Sequence, residues 1–432
     1  MNFLNICIAG LGNVGSNVVK TINQNHELLK NKASLSIKIL GISSRDRLKK
    51  RSCNIDSYKW YDNPLDLADI QNCNVLIELI GEDKGISFEL IKRALNNKIH
   101  VVTANKSLLA KHGSELFKIA ENNNVSLLYE AAVAGGIPII KTIKNSIFLN
   151  NILKISGILN GTTNYILSKM ESENLSFKKA LEDAQFKGYA ELDPTSDIEG
   201  FDAANKLTIL STICFGSEIN FQNNEIIGIN KIQIDDILYA KKFGYRIKLI
   251  SEASIVDDKI SCITEPKLIK MNNPLANVNG VLNAVQIQTD QLETLFLEGE
   301  GAGGKATASS VISDLYEIFL NSNILSLGYK VSNLRYFKKF DISESENSFY
   351  IRIMTKDIAG VLSRITSHFN ESNISIEKIL QAPENISENL PIPIIIFTHK
   401  VKRNLLIQTI DKIENLDFVL DKIIILNIDK NL

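Results

Sequence analysis

Sixteen residues, Glu191 to Lys206 (ELDPTSDIEGFDAANK), hold five carboxylates and a single lysine. Such a density of acid beside one ammonium suits charge-assisted binding of a cationic group and proton transfer at a neighbouring oxygen. Pro194 and Gly200 break the first part into turns, so Glu191, Asp193, Asp197 and Glu199 are expected in a loop. From about Phe201 the apolar spacing of Ala203, Ala204, Leu207, Leu210 and Ile213 predicts a helix with a core-facing stripe. Asp202 and Lys206 then share a face one turn apart, which taken alone reads equally as an ordinary surface ion pair. The flanking sequence has to decide between these readings.

The chain opens on an apolar run, Phe3 to Ala9, that passes into Gly10-Leu-Gly12-Asn13-Val14-Gly15 and then a helical stretch from Ser16. Strand, GxGxxG and helix in that order form the dinucleotide-binding fingerprint: a tight turn at Gly10, close phosphate approach at Gly12, close helix packing at Gly15. The next strand, Leu35 to Ile42, ends in Ser43-Ser44-Arg45-Asp46-Arg47, without the strand-end carboxylate that binds a ribose 2′-hydroxyl. Arg45 suits a 2′-phosphate, which favours NADP over NAD, while the neighbouring Asp46 argues for NAD. Strands at Val75–Ile80, His100–Thr103 and Val125–Glu130, with helices at 87–96 and 107–122 between them, predict a doubly wound parallel sheet. Lys106 stands just past a strand end, where such sheets bind ligands.

Glu130-Ala-Ala-Val133-Ala-Gly135-Gly-Ile137 is a glycine-rich loop with one acid at its entrance, able to bind an ion or simply to turn a corner. Strand-like alternations between 218 and 300 predict a second, open sheet. Gly299 to Gly304 is a flexible loop, and the helix from Thr307 is expected to return to the nucleotide-binding unit. A polar stretch at 331–347 reads as a linker. The last part, 348–432, shows the order β-α-β-β-α-β, the ferredoxin-like split unit, expected as a separate small domain. The expected division is 1–130 for the dinucleotide unit and 131–305 for a substrate unit.

Composition narrows the classes further. At 432 residues with 44% apolar content the chain suits two or three packed domains. Lys plus Arg (48) nearly cancels Asp plus Glu (49), so no global charge field points to nucleic acid or an anionic membrane. No apolar run is long enough to span a bilayer. Five scattered cysteines without C-x-x-C spacing read as small buried hydrophobes of a cytoplasmic protein. None of the five histidines falls in a candidate site, which argues against a histidine acid or catalytic zinc.

The blocks GLGNVG, TANKSLLAKHG, YEAAVAGGIPII, GILNGTTNYIL, KGYAELDPTSDIEGFDAANKL and GAGGKATASSVISDL, in this order, resemble homoserine dehydrogenase across essentially the whole chain. The final unit resembles an ACT module, on D-x-x-G-V-L at Asp357 to Leu362 and S-I-E-x-x-x-Q at Ser375 to Gln381. The resemblance implies reversible NAD(P)H-dependent reduction of L-aspartate 4-semialdehyde to L-homoserine, within threonine, methionine and isoleucine biosynthesis. By motif it places the substrate's amino group on Glu191 and Asp202 with Asp197 in support, and makes Lys206 the acid–base residue. Lys106 would lie beside nicotinamide and substrate, and Gly188 and Gly303 would line the cofactor. A sodium site would fall on Glu130 and the carbonyls of Val133, Gly135 and Ile137. Threonine is the implied effector, and a homodimer or homotetramer the implied assembly. Two features depart from the family: Ala306 replaces a usual proline, which is expected to loosen its loop, and the stretch Ala382 to Pro391 is long. A non-catalytic, amino-acid-responsive sensor built from the same two modules is the competing reading. The lysines and the carboxylate cluster weigh against it.

Overall fold

A computed structural model describes residues 2–320, 324–381 and 391–430, so the long stretch from Ala382 falls almost wholly outside the described residues. Five parallel strands form the first sheet in the order Leu35–Ser43, Asn2–Ala9, Val75–Glu78, His100–Thr103, Leu127–Leu128. The central strand shows why a near-continuous apolar run suits this place: Ile6 and Ile8 point into one helical layer, Cys7 and Ala9 into the opposite one. The helix Asn13–Gln24 buries Val18, Val19 and Ile22 against the first layer. Beside it the helix Gly304–Leu320 inserts Val311, Leu315 and Ile318 into the same core, nearly three hundred residues on in the chain. Ala306 lies in the first turn of that helix, against Gly136.

The second sheet is mixed and long. Its order is Thr294–Glu300, Leu282–Thr289, Ile152–Ile158, Tyr245–Val256, Lys259–Lys270, Ile424–Asp429, Glu346–Thr355, Ile392–Thr398, Ile376–Gln381. The first five strands carry the helices Gly161–Glu173, Phe177–Phe186 and Phe201–Phe215. The last four belong to the final unit, whose elements run β-α-β-β-α-β with a two-residue strand, Val401–Lys402, added before the second helix.

That final unit is not free-standing, which modifies the expectation of a separate domain. Its last strand pairs in parallel with the substrate-unit strand, Asn427 opposite Lys267 and Asp429 opposite Ile269. One face of its sheet packs on its own helices through Phe349, Ile351 and Ile353. The other face meets the substrate unit, where the Phe397 ring lies 4.7 Å from that of Phe243. The 331–347 segment is likewise woven in and not a loose linker: Lys338–Lys339 pairs with Lys259–Ile260, and Arg335 bonds through its backbone to Gly216 and Glu218.

A buried ion pair crosses the same junction. Asp236, on the helix Ile234–Lys242, accepts from Arg352 Nε at 2.7 Å and from the Tyr350 hydroxyl at 3.0 Å, with Asp236 0% and Arg352 1% exposed. Removing one member strands the other charge in the core. Asp236→Ala is therefore expected to lower the unfolding free energy by about 3–5 kcal/mol, read from the denaturant midpoint. A shift below 1 kcal/mol would mean that the junction does not rest on this pair.

Candidate active site

The dinucleotide cradle is built by backbone. Gly10 adopts φ of +97°, and a Cβ there would meet the Leu79 carbonyl oxygen at 2.4 Å; a Cβ on Gly15 would meet the Gly10 carbonyl oxygen at 2.0 Å. These two glycines pack the turn. Gly12 differs: its Cβ would enter open space, and no side chain caps the helix that starts at Asn13. The first N–H groups around Asn13 and Val14 are thus left to an anionic ligand at a helix N-terminus. Gly188 (φ +74°) and Gly303 (φ +126°) also have open space at Cβ, as residues that let a ligand lie against backbone would. The residues fit a pyrophosphate-bearing cofactor. Arg45 does not stand free, because its guanidinium is paired with Glu82.

The acidic stretch meets the dinucleotide unit at Lys106. Short helix Thr195–Ile198 and the left-handed Gly200 (φ +86°) turn the chain into the helix Phe201–Phe215. Every residue of that helix after Phe201 is buried, so Asp202 and Lys206 are core side chains and not surface charges. The side chains of Asp202 and Lys206 are 11% and 9% exposed, and Lys206 Nζ lies 2.6 Å from Asp202 Oδ2. Lys206 also donates to the Leu159 carbonyl at 2.7 Å. Lys106, the first residue of the helix Lys106–Asn122, reaches Asp202 Oδ1 at 3.2 Å. One buried carboxylate therefore bridges the two lysines. Burial pushes Asp202 up, but Lys206 and Lys106 outweigh it and hold the carboxyl well below the usual range. The Asp202 charge in turn raises Lys106, against desolvation, with Asp197 and Glu191 adding to it.

Sequence alone does not single out Asn160, yet it organises the cluster. Its amide nitrogen donates to Asp197 at 2.7 Å and to Asp202 Oδ2 at 2.9 Å, while its oxygen caps the helix Gly161–Glu173 at the Thr163 N–H. The one available signal was an Asn immediately before Gly-Thr-Thr, an N-cap pattern that predicts the helix start. Burial raises the Asp197 carboxyl, with Asp202 adding to the effect and the Asn160 bond opposing it. Glu191 is exposed at the rim of the cluster. Lys106 is set by a second unheralded group: Asn105 caps its helix at the Leu108 N–H, donates through its side-chain amide to the Glu82 carbonyl at 2.6 Å, and donates through its backbone N–H to Thr103 Oγ1.

The Glu130 loop follows the strand Leu127–Leu128. Glu130 Oε1 and Oε2 accept the N–H groups of Ile140 and Lys141, each at 2.9 Å, and its own N–H donates to Asp314. Burial, helped by Asp314, pushes the Glu130 carboxyl up to about 7. Ala134 and Gly135 both have positive φ, and the Gly135 carbonyl accepts from Ser310 at 2.6 Å, the Ile137 carbonyl from the Ile139 N–H. Among the described residues no group of three or more His, Cys, Asp or Glu side chains could hold a metal. One carboxylate with backbone carbonyls is a hard-oxygen donor set, compatible with an alkali cation. Of the remaining expectations, Cys7, Cys73, Cys214 and Cys262 are buried, Cys53 partly so, and no described helix is long and apolar enough to cross a membrane.

Comparison with known proteins agrees with this geometry. Residues 10–130 match the family model described as the homoserine dehydrogenase NAD binding domain, and 138–316 the homoserine dehydrogenase model. Homoserine dehydrogenase of Helicobacter pylori is 38% identical, with 97% of each chain covered. That of Pseudomonas aeruginosa is 36% identical over the full length of both. The crystal structure of a homoserine dehydrogenase from Thiobacillus denitrificans superposes with a TM-score of 0.90 at 34% identity, covering 99% of this chain and 98% of the other. A hyperthermophilic archaeal homoserine dehydrogenase mutant in complex with NADPH matches 74% of this chain, at 30% identity and a TM-score of 0.63. With an open dinucleotide cradle, two lysines that share one buried aspartate, and full-length relatives above 30% identity, the chain belongs to the homoserine dehydrogenases, NAD(P)-dependent oxidoreductases acting on a CH–OH group.

Proposed function

We propose that the chain interconverts L-aspartate 4-semialdehyde and L-homoserine, with Lys206 as proton donor, Lys106 as a fixed cation beside the reacting carbonyl, and Glu191 with Asp202 as the seat of the substrate's ammonium. The observation that carries this is the Lys106–Asp202–Lys206 bridge. Bound NADPH supplies the hydride to the aldehyde carbon, and the developing alkoxide then needs positive charge and one proton. An ammonium has three N–H donors. Lys206 spends two on Leu159 and Asp202, which leaves one for the substrate oxygen. Lys106, whose proton Asp202 holds tightly, serves as the stationary charge. Asp197 keeps Asn160 in place, and Asn160 keeps Asp202 turned toward both lysines. Lys206→Ala is expected to lower kcat by roughly two decades or more while the NADPH dissociation constant stays within about twofold. Near-normal kcat in that variant would remove Lys206 from the role.

The NADP preference rests on Arg45 at the end of the second strand and the missing carboxylate there. Sodium would be held by Glu130 with the carbonyls of Val133, Gly135 and Ile137, and would pin that loop against Gly301 and the Gly304 helix without entering the chemistry. If so, the melting temperature is higher in sodium chloride than in choline chloride at equal ionic strength, and this gain disappears in Glu130→Gln. Identical melting in the two salts would take the cation out of the loop.

The final unit has the element order of an ACT module, and threonine is its proposed effector. Its sheet joins the strand Lys259–Lys270, on which the helix bearing Lys206 packs, so effector binding has a mechanical path to the site. Threonine is expected to inhibit turnover and to raise the melting temperature. Absence of both effects at millimolar threonine would exclude it as the effector. A homodimer is the proposed assembly, by the family's habit.

A further inference from the structure

The ion pair between Arg45 and Glu82 occupies a particular place in the topology. Arg45 lies two residues beyond the strand Leu35–Ser43, and Glu82 four residues beyond the strand Val75–Glu78. Those two strands flank Asn2–Ala9, the strand whose end opens into Gly10–Gly15. A bond between Arg45 and Glu82 therefore straps the two flanking loops together beyond the end of the central strand, across the mouth of the cradle. Neither side chain is otherwise confined: that of Arg45 is 82% exposed and that of Glu82 40%. The backbone of Glu82 is fixed, however. Its carbonyl accepts from Asn105 Nδ2 at 2.6 Å, and its neighbour Asp83 is paired with Lys111. The backbone that carries the carboxylate is thus anchored beside Arg45, while the bond itself is a solvent-exposed one that a dianion can displace.

We propose that Glu82 sets the coenzyme preference by competing with the 2′-phosphate for Arg45. This rests on the reading of Arg45 as the 2′-phosphate residue. With the strap closed, Glu82 offsets the Arg45 charge and occupies part of its guanidinium; the 2′-phosphate of NADPH has to compete with that carboxylate, whereas NADH gains nothing from displacing it. The strap thereby narrows an advantage that the missing strand-end carboxylate would otherwise hand to NADPH. It also lies one hydrogen bond from the cap of the Lys106 helix, through the Glu82 carbonyl and Asn105.

The test is a double-mutant cycle on the intact protein, with NADPH and NADH dissociation constants measured by fluorescence titration for wild type, Glu82→Gln, Arg45→Ala and the double variant. Glu82→Gln is expected to tighten NADPH about threefold to fivefold, the range an exposed pair can withhold, and to leave NADH within about twofold. In the Arg45→Ala background the same change is expected to do nothing to NADPH. Equal tightening of both coenzymes, tightening that persists without Arg45, or no tightening at all overturns the competition. Failure of the underlying reading has a different signature, because Arg45→Ala then weakens NADPH and NADH alike.

Discussion

The site depends on keeping one carboxylate ionised inside the protein. Asp202 lies in the first turn of a helix that is buried from there to its end, where an isolated negative charge would be prohibitively costly. It is tolerated because two ammonium groups and one amide converge on it from three separate elements: Lys206 from its own helix, Lys106 from the start of the Lys106–Asn122 helix, Asn160 from the turn after Ile152–Ile158. Lys106 comes from the dinucleotide unit, and the other two from the substrate unit. Asp202 is therefore the electrostatic joint between the two halves of the enzyme. Its ionisation and their mutual placement are a single condition.

That condition explains the odd features of the surrounding fold. Gly161 must be a glycine, because a Cβ there would meet the Val281 carbonyl oxygen at 2.6 Å and push Asn160 away from the carboxylates. The Gly304 helix crosses back so closely onto the dinucleotide unit that a Cβ at Gly304 would strike Asn13 and Asn17, on the helix whose N-terminus forms the cradle. Chain crossing of this kind ties the substrate unit to the cradle at a second point. A hydride-transfer site gains from such ties, because small misplacements of the reacting groups are costly in rate.

Much of this was legible in the residues. The strand–GxGxxG–helix order located the cradle, and the one-turn spacing of Asp202 and Lys206 survives as a 2.6 Å bond. What spacing could not show is burial: the same pair on an exposed helix would be an unremarkable contact. Asn160 was illegible because an amide carries no charge to attract notice, and its work is done between residues far apart in sequence. The joining of the final unit was hidden for a related reason. A β-α-β-β-α-β pattern reports local order, while the parallel pairing of Asn427 with Lys267 links strands 160 residues apart, and period-2 alternation cannot reveal which neighbour a strand will choose. Arg45 is legible as a cation just past a strand end, but its partner Glu82 comes from the loop beyond a different strand.

The charge count of the cluster bears on how substrate is oriented. Asp202 Oδ2 already receives Lys206 and Asn160, and Oδ1 receives Lys106. A carboxylate oxygen takes about two donors, so only Oδ1 retains room for one more. If the substrate's α-ammonium binds here as proposed, it can claim a single bond from Asp202, and the exposed Glu191 is the proposed source of its second. Three acids (Glu191, Asp197, Asp202) against two lysines (Lys106, Lys206) leave one negative charge in excess when all are ionised, which the ammonium offsets. Asp197, raised by burial and by Asp202, is the member that can lose its charge at least cost. On the proposed assignment the substrate's cationic end would share Asp202 Oδ1 with Lys106, and its oxygen would take the remaining Lys206 proton. Orientation follows from which lone pairs are already taken.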